Sequence, residues 1–203
     1  GAMLPFWRKY ALGIQGPGQV FGMELGAGDQ EAILLGVPFI LTIPALLIWQ
    51  RIVPRISSRK AWIIGNLLFI PGLVTMMLAN DFYTGLIGTV LIAPGLAIYQ
   101  LLPLPMLSEV IDDDARKHGY RREGIFFGMN GGIVKAAFSM QGVFLATVFS
   151  ISGYVAGATV QSESAIWGIR FLIGGTPILS IIISWLLLWK FPFGRTVEAK
   201  SAS

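Results

Sequence analysis

The chain contains no cysteine and only one histidine, His118. Disulfide frameworks, zinc knuckles and thiol nucleophiles are thereby excluded, and a Ser-His-Asp triad has a single imidazole to build on. Charge is scarce as well: Asp, Glu, Lys and Arg make up 13% of the 203 residues, 54% are hydrophobic, and the mean hydropathy is +0.69. A chain this apolar does not read as a soluble domain. The formal charge of +4 gives no nucleic-acid surface, because the basic residues are split among three short links with acidic residues between them. No catalytic set, metal-ligand set or resident cofactor is read from the sequence.

What the chain has in abundance is uninterrupted apolar sequence. Glu31 and Arg51 enclose 19 uncharged residues, Lys60 and Asp81 enclose 20, and Asp81 and Glu109 enclose 27. Between Gly124 and Ser162 the only charge is Lys135, and Phe171–Trp189 adds 19 residues rich in Ile, Leu and Trp. A helix rises about 1.5 Å per residue, so about 20 residues cross the ~30 Å hydrocarbon core of a bilayer. A chain of this size lacks the polar surface to wrap five such helices in water. The pattern predicts an all-α membrane protein with spans at about 31–50, 61–80, 82–108, 124–150 and 166–190.

The links sort by sign. Arg51, Arg55, Arg59 and Lys60 join the first two spans, Arg116, Lys117, Arg121 and Arg122 join the third to the fourth, and Lys190, Arg195 and Lys200 follow the fifth. The positive-inside rule places these three links, with a tail at 194–203, in the cytoplasm. An integral protein of the cytoplasmic (inner) membrane, C-terminus inside, is expected. Residues 1–30 hold seven glycines and no long apolar run, and read as an external loop. Five spans with a cytoplasmic C-terminus put Arg8 and Lys9 outside, which calls for an upstream segment to deliver them. The chain therefore reads as the C-terminal part of a longer transporter or as a truncated product.

Lys135 is the leading candidate for function. It lies eleven residues after Gly124, about 17 Å from the cytoplasmic link and near mid-bilayer. An ammonium there costs several kcal/mol unless paired or hydrated, by rough estimate, so such residues face water-filled pathways. Gly128, Gly131, Gly132, Ser139, Gly142 and Ala146 share its helix face; a packing seam of the Gly-x-x-x-Gly type is the plainer reading of that stripe. Gln100 sits at comparable depth in span three; a hydrogen bond between helices is the first reading of an amide there, and with Tyr99 it also offers an amide and a phenol to a hydroxyl-bearing ligand. Asn130 and Gln141 could serve likewise, or could bond between helices. Prolines fall in four of the spans, and the cluster Leu101–Met106, with Pro103 and Pro105, reads as a gate near the cytoplasmic end. The link Ser108–Gly124 carries both signs of charge and reads as a loop whose ion pairs can latch one face of a transporter.

That link also carries a resemblance. Glu109-x-x-Asp112, then Gly119-x-Arg121-x-Glu123-Gly124-Ile-Phe-Phe-Gly128, Lys135, and Gly153-Tyr154 resemble the glycoside-pentoside-hexuronide cation symporters, the melibiose-carrier-like family of the major facilitator superfamily. Pro54-Arg55-Ile-Ser-Ser-Arg59-Lys60 looks like a degraded form of the superfamily's basic loop between spans eight and nine. The resemblance implies that the five helices are spans eight to twelve and form most of a C-terminal bundle, with Leu4–Ile14 ending span seven. It also implies alternating access and uptake of a sugar coupled to sodium or protons. Lys135 matches the family's span-eleven lysine beside the cation site, while Gln100 stands where melibiose carriers have a sugar-stacking tryptophan; by depth, Gln100, Tyr99, Asn130 and Gly131 are taken as the rest of the candidate pathway. Glu109, Asp112, Arg121, Glu123 and Gly124 would form the cytoplasmic gate. The implied partners are the lipid bilayer, a small-molecule substrate and an N-terminal bundle in cis or in trans. Lysolipid carriers of the wider family share the lysine and a comparable loop, and are the rival for cargo; a folded remnant without transport is the third reading.

Overall fold

The computed structural model of the chain describes residues 3–189; the expected tail at 194–203, with Lys190, Arg195 and Lys200, lies outside them. Short elements come first: α1 (Leu4–Phe6) runs into a π turn at Trp7–Ala11, and β1 (Gly18–Val20) pairs antiparallel with β2 (Met23–Leu25). Five apolar stretches follow. They are α2 (Ala27–Ile56), α3 (Ser58–Leu78), α4 with α5 (Phe82–Leu101, Pro103–His118), α6 (Glu123–Ser152), and α7 with α8 (Glu163–Arg170, Thr176–Trp189) joined by a π turn at Phe171–Gly175. Each of the five is long and apolar enough to cross a membrane.

Helix ends follow local chemistry. Asp81 caps α4, its carboxylate accepting from the Thr84 amide at 2.9 Å, and Ser162 caps α7 by accepting from the Ala165 amide. Gly119 and Gly153, at φ +78° and +73°, close α5 and α6 in the left-handed conformation glycine tolerates. After Gly153, the Tyr154 amide donates to the Phe149 carbonyl and the two rings stack at 4.3 Å. The Gly-Tyr pair of the resemblance is thus a helix stop with its apolar clasp.

The third stretch breaks at Leu102, because Pro103 and Pro105 remove the amides that would have reached the carbonyls of Tyr99 and Leu101. Here the structure corrects the sequence reading. Residues 108–118 continue as helix rather than loop, held by i,i+4 pairs between Asp113 and Lys117 (2.6 Å) and Asp114 and His118 (3.0 Å). Basic residues in the last turn also complement the helix dipole. At 37 residues, the combined helix is about 55 Å long and overshoots the bilayer core. A second correction concerns the first 30 residues. Leu4, Trp7, Ala11 and Leu12 are buried with Met76, Ala79, Phe82 and Ile169, and the Trp7 indole donates to the Met76 carbonyl at 2.9 Å. Leu4–Ala11 is thus helical and packed, in keeping with the span end that the resemblance implies; only the stretch after it is turn and hairpin, and α2 already begins at Ala27.

α4 forms the centre, with α2 and α3 packed along it; α3 also meets the π turn and α8. The α3–α4 contact is a glycine seam. A Cβ on Gly65 would stand 2.5 Å from Ile98, on Gly72 2.5 Å from Ile92, on Gly88 2.6 Å from Met76, and on Gly95 2.5 Å from Phe69. Two glycines per helix, seven residues apart, let the backbones meet. The stripe expected on α6 does not serve this purpose within the chain: Gly128, Gly131, Gly132 and Gly142 have nothing within 4 Å of a Cβ position.

Candidate functional site

Among the described residues, α6 is the one long helix in which no residue is buried. Its C-terminal end is anchored, with Phe149 edge-on to Phe6 at 5.3 Å and Ser152 against Gly168, and its N-terminal end follows the α5 turn. Gln141 lines a groove with Leu34, Pro38, Thr89, Ile92 and Leu172. The half-buried residues Phe126, Gly131, Leu145, Val148 and Phe149 all lie within about 80° of Gln141 at ~100° per residue. Lys135, six residues earlier, comes about 120° around the helix from that packed face. Its ammonium is exposed and has no ion-pair partner among the described residues. Most of the small-residue stripe turns with it, and the half-buried Gly131 lies between the two faces. Asn130 is exposed and, eleven residues from Gln141, lies about 20° from the packed face, so it does not share Lys135's side.

Tyr99 and Gln100 separate in the same way, because neighbours on a helix point about 100° apart. The Tyr99 hydroxyl donates to Asn66 Oδ1 on α3 at 2.7 Å, inside a ring cluster with Trp62 (5.0 Å) and Phe69 (5.5 Å). Trp62 in turn donates to Ser184 on α8 at 2.9 Å. Tyr99 is therefore occupied in holding α3, α4 and α8 together, while Gln100 is exposed. No hydrogen bond joins Lys135 to Tyr99, Gln100 or Asn130 among the described residues. Within this chain the phenol and the amide point to different sides of α4. Asn66, fully buried, was missed; a lone amide inside an apolar window was the available signal.

At the α5–α6 turn the structure brings together three of the five expected gate residues. Arg121 reaches Asp112 at 3.1 Å and Glu123 at 2.5 Å. Beside them Arg122 grips Asp114 with two bonds, at 2.7 and 3.0 Å, and the neighbouring carboxylate raises the Arg122 pKa above its ordinary value. Glu109 sits apart, accepting from Ser58 Oγ at 2.5 Å across the α2–α3 corner. Gly124 is exposed, with nothing near it.

The opposite end is closed by Arg170. One of its terminal nitrogens faces the carbonyls of Ala11 (3.4 Å) and Ala79 (3.1 Å) and the Asn80 side chain (2.5 Å), and Trp167 lies under the guanidinium at 5.3 Å. Arg8 pairs with Glu31 at 2.8 Å, and the Tyr10 hydroxyl donates to Ala158. Burial pushes the Tyr154 phenol above its ordinary pKa in this layer. Arg8, one of the two basic residues that the charge pattern puts outside, thus has a carboxylate partner, and Arg170 satisfies helix-end carbonyls.

No group of three or more His, Cys, Asp or Glu able to hold a metal ion occurs among the described residues. The Gln141 groove, about 340 Å³, carries few polar groups on an apolar wall. Such a site can receive a hydrocarbon-bearing molecule or join a larger cavity.

Comparison with known proteins agrees with this architecture. An uncharacterized symporter of Synechocystis sp. is 23% identical over 75% of this chain and 29% of its own length. The sodium-dependent lysophosphatidylcholine symporter 1 of Xenopus tropicalis is 30% identical over 82% of this chain and 32% of its own, and that of Mus musculus 30% over 79% and 30%. The chain spans about a third of the length of the curated relatives it matches. Residues 21–195 match the family model described as MFS/sugar transport protein, and the chain belongs to that family of membrane transporters.

Proposed function

We propose that the chain is the C-terminal part of a cation-coupled symporter, and that it moves an amphiphile such as a lysolipid by alternating access without covalent chemistry. The observation that carries the transporter reading is α6. A mid-membrane ammonium on a helix with no buried residue calls for water, an ion or a second bundle to face it. A companion N-terminal bundle, in cis or in trans, would cover the Lys135 face and its glycines, making Lys135 part of the cation and substrate pathway. Arg121 with Asp112 and Glu123 would act as the cytoplasmic latch: exposed pairs contribute little individually and are readily exchanged when a face opens. The protein would sit in the cytoplasmic membrane with its C-terminus inside.

The cargo reading rests on the apolar walls around Gln141, and on relatives named as sodium-dependent lysophosphatidylcholine symporters, which also favour sodium over protons as the coupling ion. A sugar is the second reading, favoured by the family's description and the melibiose-carrier-like motifs around Gly119–Gly128. Proteoliposomes holding the complete transporter separate the two. Sodium-driven uptake of lysophosphatidylcholine with no uptake of melibiose is expected; the reverse would replace the amphiphile by a sugar.

A further inference from the structure

Away from α6, a groove of about 390 Å³ runs between α2 and α3, lined by Ala45, Ile48, Trp49, Ile52, Ile64 and Pro94, among other apolar residues. The Trp49 indole N–H is already spent on the Pro94 carbonyl, at 2.9 Å, so the groove offers hydrocarbon and no free hydrogen-bonding group to an occupant. Its length suits a particular one. The α2 wall runs from Ala45 to Ile56, about 17 Å, which is roughly half of the ~30 Å hydrocarbon core and so the depth of one leaflet.

The groove also ends in charge. On α2 the stripe Ile48, Ile52, Arg55 continues at helical spacings of four and three; on α3 the stripe Leu68, Ile64, Lys60 runs back at spacings of four. Both stripes leave the apolar walls at the same corner, where Arg51 and Arg59 also lie. Arg55 is exposed and forms no ion pair among the described residues. Among the described residues, Glu109 near this corner accepts from Ser58.

We propose that this groove is a binding site for one anionic phospholipid, with an acyl chain between α2 and α3 and the phosphate against Arg55 and its basic neighbours. The site is separate from the transport pathway and serves to hold the α2–α3 corner at the membrane surface. Native mass spectrometry of the detergent-purified chain, incubated with equimolar dioleoyl phosphatidylglycerol and dioleoyl phosphatidylcholine, tests it. One phosphatidylglycerol is expected to be retained, with about tenfold preference, the size expected for one or two basic residues near a lipid phosphate. Arg55→Gln removes most of that preference and Arg55→Lys keeps it, while Leu68→Trp fills the groove and lowers retention of both lipids at least fivefold. Ile48→Trp, on the opposite wall, gives the same test if Leu68→Trp misfolds. Equal retention of the two lipids by the parent, or unchanged phosphatidylglycerol retention in Arg55→Gln and the groove-filling variant, overturns the proposal. Displacement of the lipid by excess soluble glycerol phosphate would reduce the site to a phosphate subsite and overturn the acyl-chain assignment.

Discussion

Replacing Gly72 by alanine is expected to destabilise the bundle by about 2 kcal/mol, and the reason lies in what the new methyl would meet. A Cβ at this position stands 2.5 Å from Ile92 Cγ2, 2.6 Å from the Ile92 amide nitrogen and 2.9 Å from the Gly88 carbonyl oxygen. Comfortable carbon contacts lie near 3.5–4.0 Å, so roughly an ångström of overlap must be relieved. Two of the three atoms are backbone, and no rotamer change removes them; the helices must part along a seam that Gly88 closes from the other side. Overpacking of a tight core costs about 1–3 kcal/mol, and the upper end applies, less ~1 kcal/mol that alanine gains over glycine in a helix. Gly128→Ala is the internal control. It has the same propensity gain and nothing within 4 Å, so within this chain it should be neutral or stabilising by up to ~1 kcal/mol. Unfolding of each variant in mixed micelles by SDS titration, followed by circular dichroism, compares them directly. Equal stability for Gly72→Ala and Gly128→Ala would refute the backbone seam.

Other consequences are as direct. Ser57 joins α2 to α3 at φ +78°, ψ 151°, a conformation natural to glycine, with its hydroxyl buried and unpartnered. Ser57→Gly should therefore stabilise by about 1 kcal/mol, relief of strain exceeding the added chain entropy, while Ser57→Val destabilises; the same titration reads both. Arg170→Met leaves the carbonyl of the buried Ala79 without this donor and should cost about 1–3 kcal/mol, with faster proteolysis near residues 13–17 as the local readout.

The apolar windows were legible because a charge inside a bilayer is costly, and five charge-poor windows, one of them holding Lys135, became five helical stretches. Helix ends were less so. Asp112–His118 looked like a loop because it is charged, yet i,i+4 pairing makes charged sequence good helix beyond the membrane. Trp7 lies in too short an apolar run to register by composition, so only the resemblance marked Leu4–Ile14 as a span end, although Trp7 is fully buried. The glycines at 65, 72, 88 and 95 are visible at spacing seven, but which helix they face is decided by tertiary packing; the four-residue spacing on α6 drew attention to a seam this chain does not build. In the candidate site, the depth of Lys135 was readable by counting residues, whereas the direction of Tyr99 depended on Asn66 across the α3–α4 contact.

The central claim is that Lys135 belongs to a cation-coupled pathway completed by a second bundle. Sodium-gradient-driven uptake of lysophosphatidylcholine into proteoliposomes carrying the complete transporter, compared between the parent and Lys135→Ala, tests it most directly. Loss of gradient-driven accumulation in protein that still inserts and folds is the predicted result, because the charge that orders the ion and substrate site has gone. Undiminished accumulation with unchanged sodium dependence would contradict it, and would return Lys135 to the status of a surface lysine.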